Sequence, residues 1–334
     1  MPKDSFDREI DYLRISVTDR CNLRCVYCMP LEGLRFLPGP EMLTAAEIEQ
    51  VVRAAVGVGF RKFRLTGGEP TLRADLVEIV QRLAAVPGVR DLALTTNALL
   101  MTKLARPLRA AGLKRINVHL DSLDPHTVER QMRWGSLEEI WDGILASEEA
   151  GLAPIKLNAV VAAGYNEGEV AELARLTIER DWHVRFIELM PLGGGECARL
   201  SIQRYVSNIE TRRRIESELG PLAELEAGNP EAGNPSDEAR NYRLARARGV
   251  VGFISPVSEP YCGTCNRMRL TADGKFHLCL LNDNELDVRA ALRSGAGLEA
   301  VGRILLSAVG DKPTGHHLLQ GRSTRERSMY QLGG

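Results

Sequence analysis

The sequence has no apolar run approaching the roughly 18 residues that a membrane span requires, and its charged opening, MPKDSFDREI, holds no apolar stretch of the leader type. The expected compartment is the cytoplasm. Nor is there a surplus of one charge: 43 Lys and Arg against 44 Asp and Glu leave a net charge of -1. Nucleic acids and membrane surfaces normally call for a marked excess of cations, so neither is expected as a partner. Cysteine is sparse as well. There are seven, six of them in two tight groups, which is unlike a secreted disulfide framework and more like metal ligands in a reducing compartment. Cys197 alone stands apart and is read as incidental. What is present is an ordinary globular composition over 334 residues, 44% hydrophobic, enough for two domains or for one α/β barrel of about 250 residues with an extension.

Short apolar runs alternate with helix-like segments through the first two thirds. The runs are LRISV (13–17), FRLT (63–66), LALTT (92–96), INVHL (116–120), IKLNAVV (155–161) and VRFIEL (184–189). Thr44 and Glu47 form a capping box ahead of Ile48, Val51, Val52 and Ala55 at helical spacing. Asp124 and Pro125 mark a second helix start. Six strand–helix units imply a parallel sheet, and a partial barrel is the favoured closure. The pattern weakens after about residue 220, where EAGNP occurs twice in tandem (226–235) and reads as a flexible excursion. Beyond it, NYRLAR and GVVGFISP look like strands, RMRLTADGKFHLCL looks like a hairpin turning at Asp273 and Gly274, and a helix is expected over 298–309. The expected division is 1–220 and 221–334.

The first cysteine group, DRCNLRCVYCMP, places Cys21, Cys25 and Cys28 directly after the first strand, at the carboxyl edge where active sites of parallel α/β folds collect. A zinc site borrowing a distant fourth ligand is one reading. The other is an iron–sulfur cluster, on which three thiolates leave one iron open to an exogenous ligand. The second group, Cys262, Cys265 and Cys279, also numbers three, and His277 could complete a zinc site of three cysteines and one histidine there. Both chemistries stay open on ligand type alone. Arg14, Arg64, Lys156 and Arg185 lie within strand runs. A cation pointing into a barrel must meet an anion or suffer heavy desolvation, and guanidinium forks suit phosphate. Outward pairing with helix carboxylates is the bland alternative.

The C-x3-C-x2-C spacing with Tyr27 before its last cysteine resembles the radical S-adenosylmethionine (SAM) superfamily, and LTGGEP (65–70) resembles its GGE motif. Those two segments, with LTTNALL, RINVHLDSLD, RFIELMPLG, CNRMRLTADGKFHLCL and the terminal Gly333-Gly334, together resemble the GTP 3′,8-cyclase family of molybdenum cofactor biosynthesis across nearly the whole chain. The resemblance implies a partial (β/α)6 barrel, closed by a C-terminal α+β extension that carries a second cluster. It implies two 4Fe-4S clusters, the first on Cys21, Cys25 and Cys28 and the second on Cys262, Cys265 and Cys279. SAM would meet Tyr27, Gly68, Met190 and the position of His119, where the family commonly carries serine. GTP would meet Arg14, Arg64, Thr95, Lys156, Arg185, Arg267, Met268 and Arg269, with Arg267 and Arg269 also acting in catalysis. The Gly333-Gly334 pair would insert towards the site. An electron donor and a downstream cyclic pyranopterin monophosphate synthase are the implied partners, and the chain is expected as a monomer or homodimer. The rival readings are a radical SAM peptide or cofactor maturase with an auxiliary cluster, and a zinc-stabilised scaffold.

Overall fold

A computed structural model describes residues 1–225, 229–234, 236–318 and 323–333. Each apolar run forms a strand within one or two residues of its expected bounds. These are β1 (Tyr12–Ser16), β2 (Lys62–Thr66), β3 (Asp91–Thr96), β4 (Arg115–His119), β5 (Ile155–Val161) and β6 (His183–Glu188). Between them run α1 (Ala45–Gly57), α2 (Leu76–Ala84), α3 (Met101–Ala110), α4 (Pro125–Met132), α5 (Leu137–Glu149) and α6 (Val170–Glu179). The Thr44/Glu47 capping box is present at the start of α1, and Asp124 accepts from the Thr127 amide at the start of α4, with Pro125 in the first turn. Both satisfy amide donors that a helix start leaves open.

The remaining elements are α7 (Gly195–Gln203), α8 (Asn208–Leu219), β7 (Leu222–Glu224), β8 (Arg240–Leu244), β9 (Val250–Ile254), β10 (Arg267–Leu270), β11 (Lys275–His277), β12 (Glu285–Asp287), α9 (Arg289–Arg293), α10 (Leu298–Gly310) and α11 (Met329–Leu332). The β10–β11 hairpin turns where expected, with Gly274 at φ +77°, a conformation that favours glycine. Among the described residues, all strands join one 12-stranded sheet in the order β12-β11-β10-β1-β2-β3-β4-β5-β6-β9-β8-β7. β10 pairs parallel to β1, and β9 pairs parallel to β6. The extension therefore prolongs the parallel run at both ends instead of packing as a separate body, which strand-by-strand reading did not reveal. Among the described residues, no helix is long and apolar enough to cross a membrane.

The two faces of the sheet differ in chemistry. Leu13, Ile15, Leu157, Val184 and Phe186 belong to the apolar core, which fits the double burial of parallel strands. The residues that alternate with them are Tyr12, Arg14, Lys156, Asn158 and Arg185. An interior face that barrels normally fill with Val, Ile and Leu is thus polar here. Of the tandem EAGNP segment, residues 226–228 and 235 lie outside the described residues, as does Gly334.

Candidate active site

The chain leaves β1 through Thr18–Arg20 and turns tightly at the first cysteine group, where the Cys28 and Met29 amides both donate to the Cys25 carbonyl (2.9 and 3.1 Å). Arg24 and Val26 tie this turn to the end of α4 through the Met132 and Gln131 carbonyls. The GGE segment crosses directly over it, with the Gly68 and Glu69 amides donating to the Thr18 and Arg20 carbonyls, each at 2.7 Å. A Cβ at Gly67 would lie 2.4 Å from the Thr18 oxygen, and one at Gly68 2.3 Å from the Arg20 oxygen. The glycines are thus required first by this backbone crossing. Glu69, which the motif reading left without a task, accepts hydrogen bonds from the Thr71 amide and hydroxyl, the Thr96 hydroxyl and the Asn97 amide (2.6–3.0 Å). It clamps the loops after β2 and β3.

All six grouped cysteines are free, and all line one cavity. Tyr27, Gly68, His119, Met190, Arg14, Arg64, Thr95, Arg267, Met268 and Arg269 also line it, with His119 beside Cys25 of the first trio and Arg267 and Arg269 close to Cys265 and Cys279 of the second. Lys156 and Arg185 do not line it. Arg185 lies beneath, bonded to Asn158 and Asn117 (2.9 Å each), and Lys156 stands beside it on β5, in register with His183. Cys197 is buried on α7 and does not line the cavity, although it lies near enough to Cys25 and Cys28 to interact with them electrostatically.

Near the first trio, the Tyr27 hydroxyl donates to Asp121 at 2.7 Å, and His119 Nε2 stands 3.0 Å from that hydroxyl, 3.2 Å from Asp121 and 3.8 Å from Cys25 Sγ. Asp121 also accepts from the Val160 amide, so one buried carboxylate orients the whole group. Burial disfavours the His119 cation, but Asp121 outweighs it and raises the imidazole above its ordinary value. The histidine read as a departure is therefore built into a network and is not simply a packed ring. Around Cys21 burial, followed by Glu69, pushes the thiol up to about 12.

Two thiols of the second trio sit in the opposite field, while burial pushes the third, Cys279, up. Burial would raise the Cys265 thiol, but Arg267 and Lys312 bring it down to about 6. His316 acts likewise on Cys262 against burial. His277, the candidate zinc ligand, is fully buried with Nδ1 3.1 Å from Glu285. Among the described residues, no three His, Cys, Asp or Glu side chains gather as a site for a single metal ion. Each trio supplies three soft donors, one short of a complete four-iron set.

Between the trios the sheet register sets three cations side by side: Arg269 on β10 opposes Arg14 on β1, which opposes Arg64 on β2. Like charges directly opposite one another destabilise a sheet. The Arg14 and Arg64 guanidiniums lie against the Tyr12 ring (5.6 and 5.3 Å), and Arg269 donates to the Gly333 carbonyl. An anion holds the rest together. The Glu238 carboxylate stands 2.6 Å from Arg14, 3.0 Å from Arg267, 3.5 Å from Arg64 and 4.0 Å from Arg185. Sequence reading missed Glu238, a lone glutamate in a polar loop with no motif around it. Arg14 Nε, Arg64 Nε and Arg267 Nη2 are buried and still have no hydrogen-bond partner among the described residues. That surplus of donors fits a ligand with more anionic oxygens than one carboxylate offers.

Residues 15–177 match the radical SAM superfamily model, and residues 182–318 match the molybdenum cofactor synthesis C model. The chain is 49% identical over 332 residues to GTP 3′,8-cyclase of Pelotomaculum thermopropionicum, covering 99% of this chain and all of that one. The corresponding enzymes of Heliobacterium modesticaldum and Moorella thermoacetica are 45% and 43% identical, with coverage of 99% of this chain and 99% and 100% of theirs. The chain belongs to the GTP 3′,8-cyclase family. Membership of the radical SAM superfamily implies a 4Fe-4S cluster and SAM. Among solved structures, Streptococcus suis SuiB superposes with a TM-score of 0.62 at 16% identity, over 92% of this chain and 67% of that one. Methylornithine synthase gives 0.51 at 18%, over 62% and 63%. At these identities the likeness carries the fold alone, and it agrees with the α/β radical SAM architecture expected from the sequence.

Proposed function

We propose that this chain converts GTP to (8S)-3′,8-cyclo-7,8-dihydroguanosine 5′-triphosphate, the first step of molybdenum cofactor biosynthesis, with SAM cleaved to 5′-deoxyadenosine and methionine. The observation that carries the reading is a single cavity with a thiol trio at each end and a row of arginines between. Cys21, Cys25 and Cys28 would hold the first four-iron cluster, and Cys262, Cys265 and Cys279 a second. When bound, the first cluster supplies the electron that opens the sulfonium of SAM and so generates the radical that takes hydrogen from carbon 3′ of GTP.

The rest is positioning by side chains. Tyr27, Gly68, His119 and Met190 border the SAM end, where the crossing of GGE over residues 18–20 fixes the backbone. Arg14, Arg64 and Arg267, with Arg185 and Lys156 beneath, offer the charge for a triphosphate. Thr95, Met268 and Arg269 complete the GTP end. Held in this way, carbon 3′ and carbon 8 of one nucleotide stay within bonding reach while water is excluded from a reactive sugar radical. We divide the labour near residue 220: residues 1–220 cleave SAM, and residues 221–334 hold the second cluster and part of the nucleotide. An external reductant and a downstream synthase forming cyclic pyranopterin monophosphate complete the set of partners, and the chain acts as a monomer or homodimer.

Cyclisation removes one hydrogen atom from GTP and returns one electron and one proton, so product and substrate have the same composition. The test is anaerobic incubation of the reconstituted protein with SAM, dithionite and 3′-deuterated GTP, with chromatography before mass analysis. Deuterium should appear in 5′-deoxyadenosine, alongside a new nucleotide that has lost the label. Label retained in unchanged GTP, while SAM is consumed, would overturn the reading.

A further inference from the structure

The four-fold arginine contact of Glu238 has a consequence for how any polyphosphate enters. Its carboxylate is buried, 8% exposed as a residue, and lies within 4.0 Å of guanidiniums from β1, β2, β6 and β10. It comes from the segment just before β8, and the neighbouring Ser236 carbonyl accepts from Arg267 (3.0 Å). Glu238 also lines the cavity that holds both thiol trios. Four cations cannot serve one carboxylate and three phosphates at the same atoms: Arg14 Nη2 and Arg267 Nη1 already donate to Glu238 at 2.6 and 3.0 Å. A carboxylate left among incoming phosphates would repel them in a site of low dielectric.

We propose that Glu238 is an internal competitor for the substrate's phosphates, an anion that pairs the arginines in the free protein and is displaced when a nucleoside triphosphate takes its place. Burial by itself would raise the Glu238 carboxyl, and Arg14, Arg267, Arg64 and Arg185 hold it well below the usual carboxylate range, in keeping with a charged group. The arrangement resolves a folding problem, since unpaired buried guanidiniums are costly. It also weakens ground-state binding of every phosphate-bearing ligand by a common factor. This inference rests on the reading of the arginine row as the GTP phosphate site.

The experiment is titration calorimetry of the anaerobically reconstituted protein with GTP, and separately with inorganic tripolyphosphate, for wild type, Glu238→Gln and Glu238→Asp. Glu238→Gln should bind both ligands about tenfold more tightly, with an unchanged SAM affinity, and Glu238→Asp should stay near wild type. In thermal melts, Glu238→Gln should unfold at a lower temperature than wild type in buffer and regain the difference when tripolyphosphate is added. Equal or weaker tripolyphosphate binding by a folded Glu238→Gln protein would overturn the proposal. Failure of wild type to bind GTP would instead overturn the assignment of the nucleotide, while the tripolyphosphate arm would still decide the role of Glu238.

Discussion

The two cysteine trios have the same ligand count and different surroundings. Cys21 lies where burial and Glu69 push a thiol up to about 12, whereas Cys265 lies where Arg267 and Lys312 bring one down to about 6. The backbone differs too. The first trio sits on eight consecutive residues laced to GGE and to α4, whereas the second is assembled from a turn before β10 and a position after β11. One end of the cavity is therefore a compact pocket braced by the Glu69 and Asp121 carboxylates, and the other is a basic pocket shared with the arginine row. The difference suits two ligands of different charge: a zwitterionic methionine moiety at one end, and a highly charged nucleotide at the other.

Removing the first trio should have the largest effect. Cys21→Ala should abolish production of 5′-deoxyadenosine, measured by chromatography, while GTP affinity stays within roughly twofold of wild type. Loss of GTP binding in the same variant would show that the ends are not separable. Next comes the basic end. Arg267→Ala with Arg269→Ala should weaken GTP binding on the order of a hundredfold, since charge-assisted guanidinium–phosphate bonds are lost, and SAM binding should survive. Unchanged GTP affinity and product yield would remove both arginines from the site.

Gly68→Ala probes the frame of the first pocket without touching a thiol. The added methyl would meet the Arg20 carbonyl at 2.3 Å, and the forced separation should cost about 1–3 kcal/mol of stability, read as a lower melting temperature. An unchanged melt would mean that the crossing is looser than drawn. The smallest effect is a proton. Burial, then Arg185, Arg115 and Arg64, lower the Lys156 ammonium from 10.5 to about 7. Above that pH the free protein holds Lys156 neutral, and bound phosphates would restore its charge. GTP binding near pH 8 should therefore take up close to one proton, visible as buffer-dependent heat in calorimetry. At pH 6, where Lys156 is already charged, the uptake by this group should vanish, and Lys156→Met should remove it at pH 8.

How much of this could be read in the sequence follows from how local each signal is. The six strands of the barrel, the Thr44/Glu47 box and the hairpin at Gly274 depend on neighbours within a few residues, and all are found where periodicity puts them. The pairing of β10 with β1 and of β9 with β6 is set by contacts across some 250 and 65 residues of chain, for which a pattern of apolar residues has no signature. The same holds at the site. Cys21, Cys25 and Cys28 announce themselves by spacing, and the resemblance supplied Arg267 and Arg269, but it is the register Arg269–Arg14–Arg64 that sets the cations side by side. Glu238, Asp121 and Glu69 act through geometry alone. Glu69 stands in the GGE motif and Asp121 in RINVHLDSLD, but neither segment says what its carboxylate holds, and Glu238 has no motif around it; all three tasks are visible only once the chain has folded.

Everything proposed for the cavity depends on both trios carrying iron, each as a cluster with an open corner. Iron and zinc analysis of anaerobically prepared wild type beside a Cys262→Ala, Cys265→Ala, Cys279→Ala variant tests it most directly. Wild type should hold about eight irons per chain and the variant about four, and the variant should still cleave SAM. Zinc in place of iron, or the same iron content in both proteins, would contradict it.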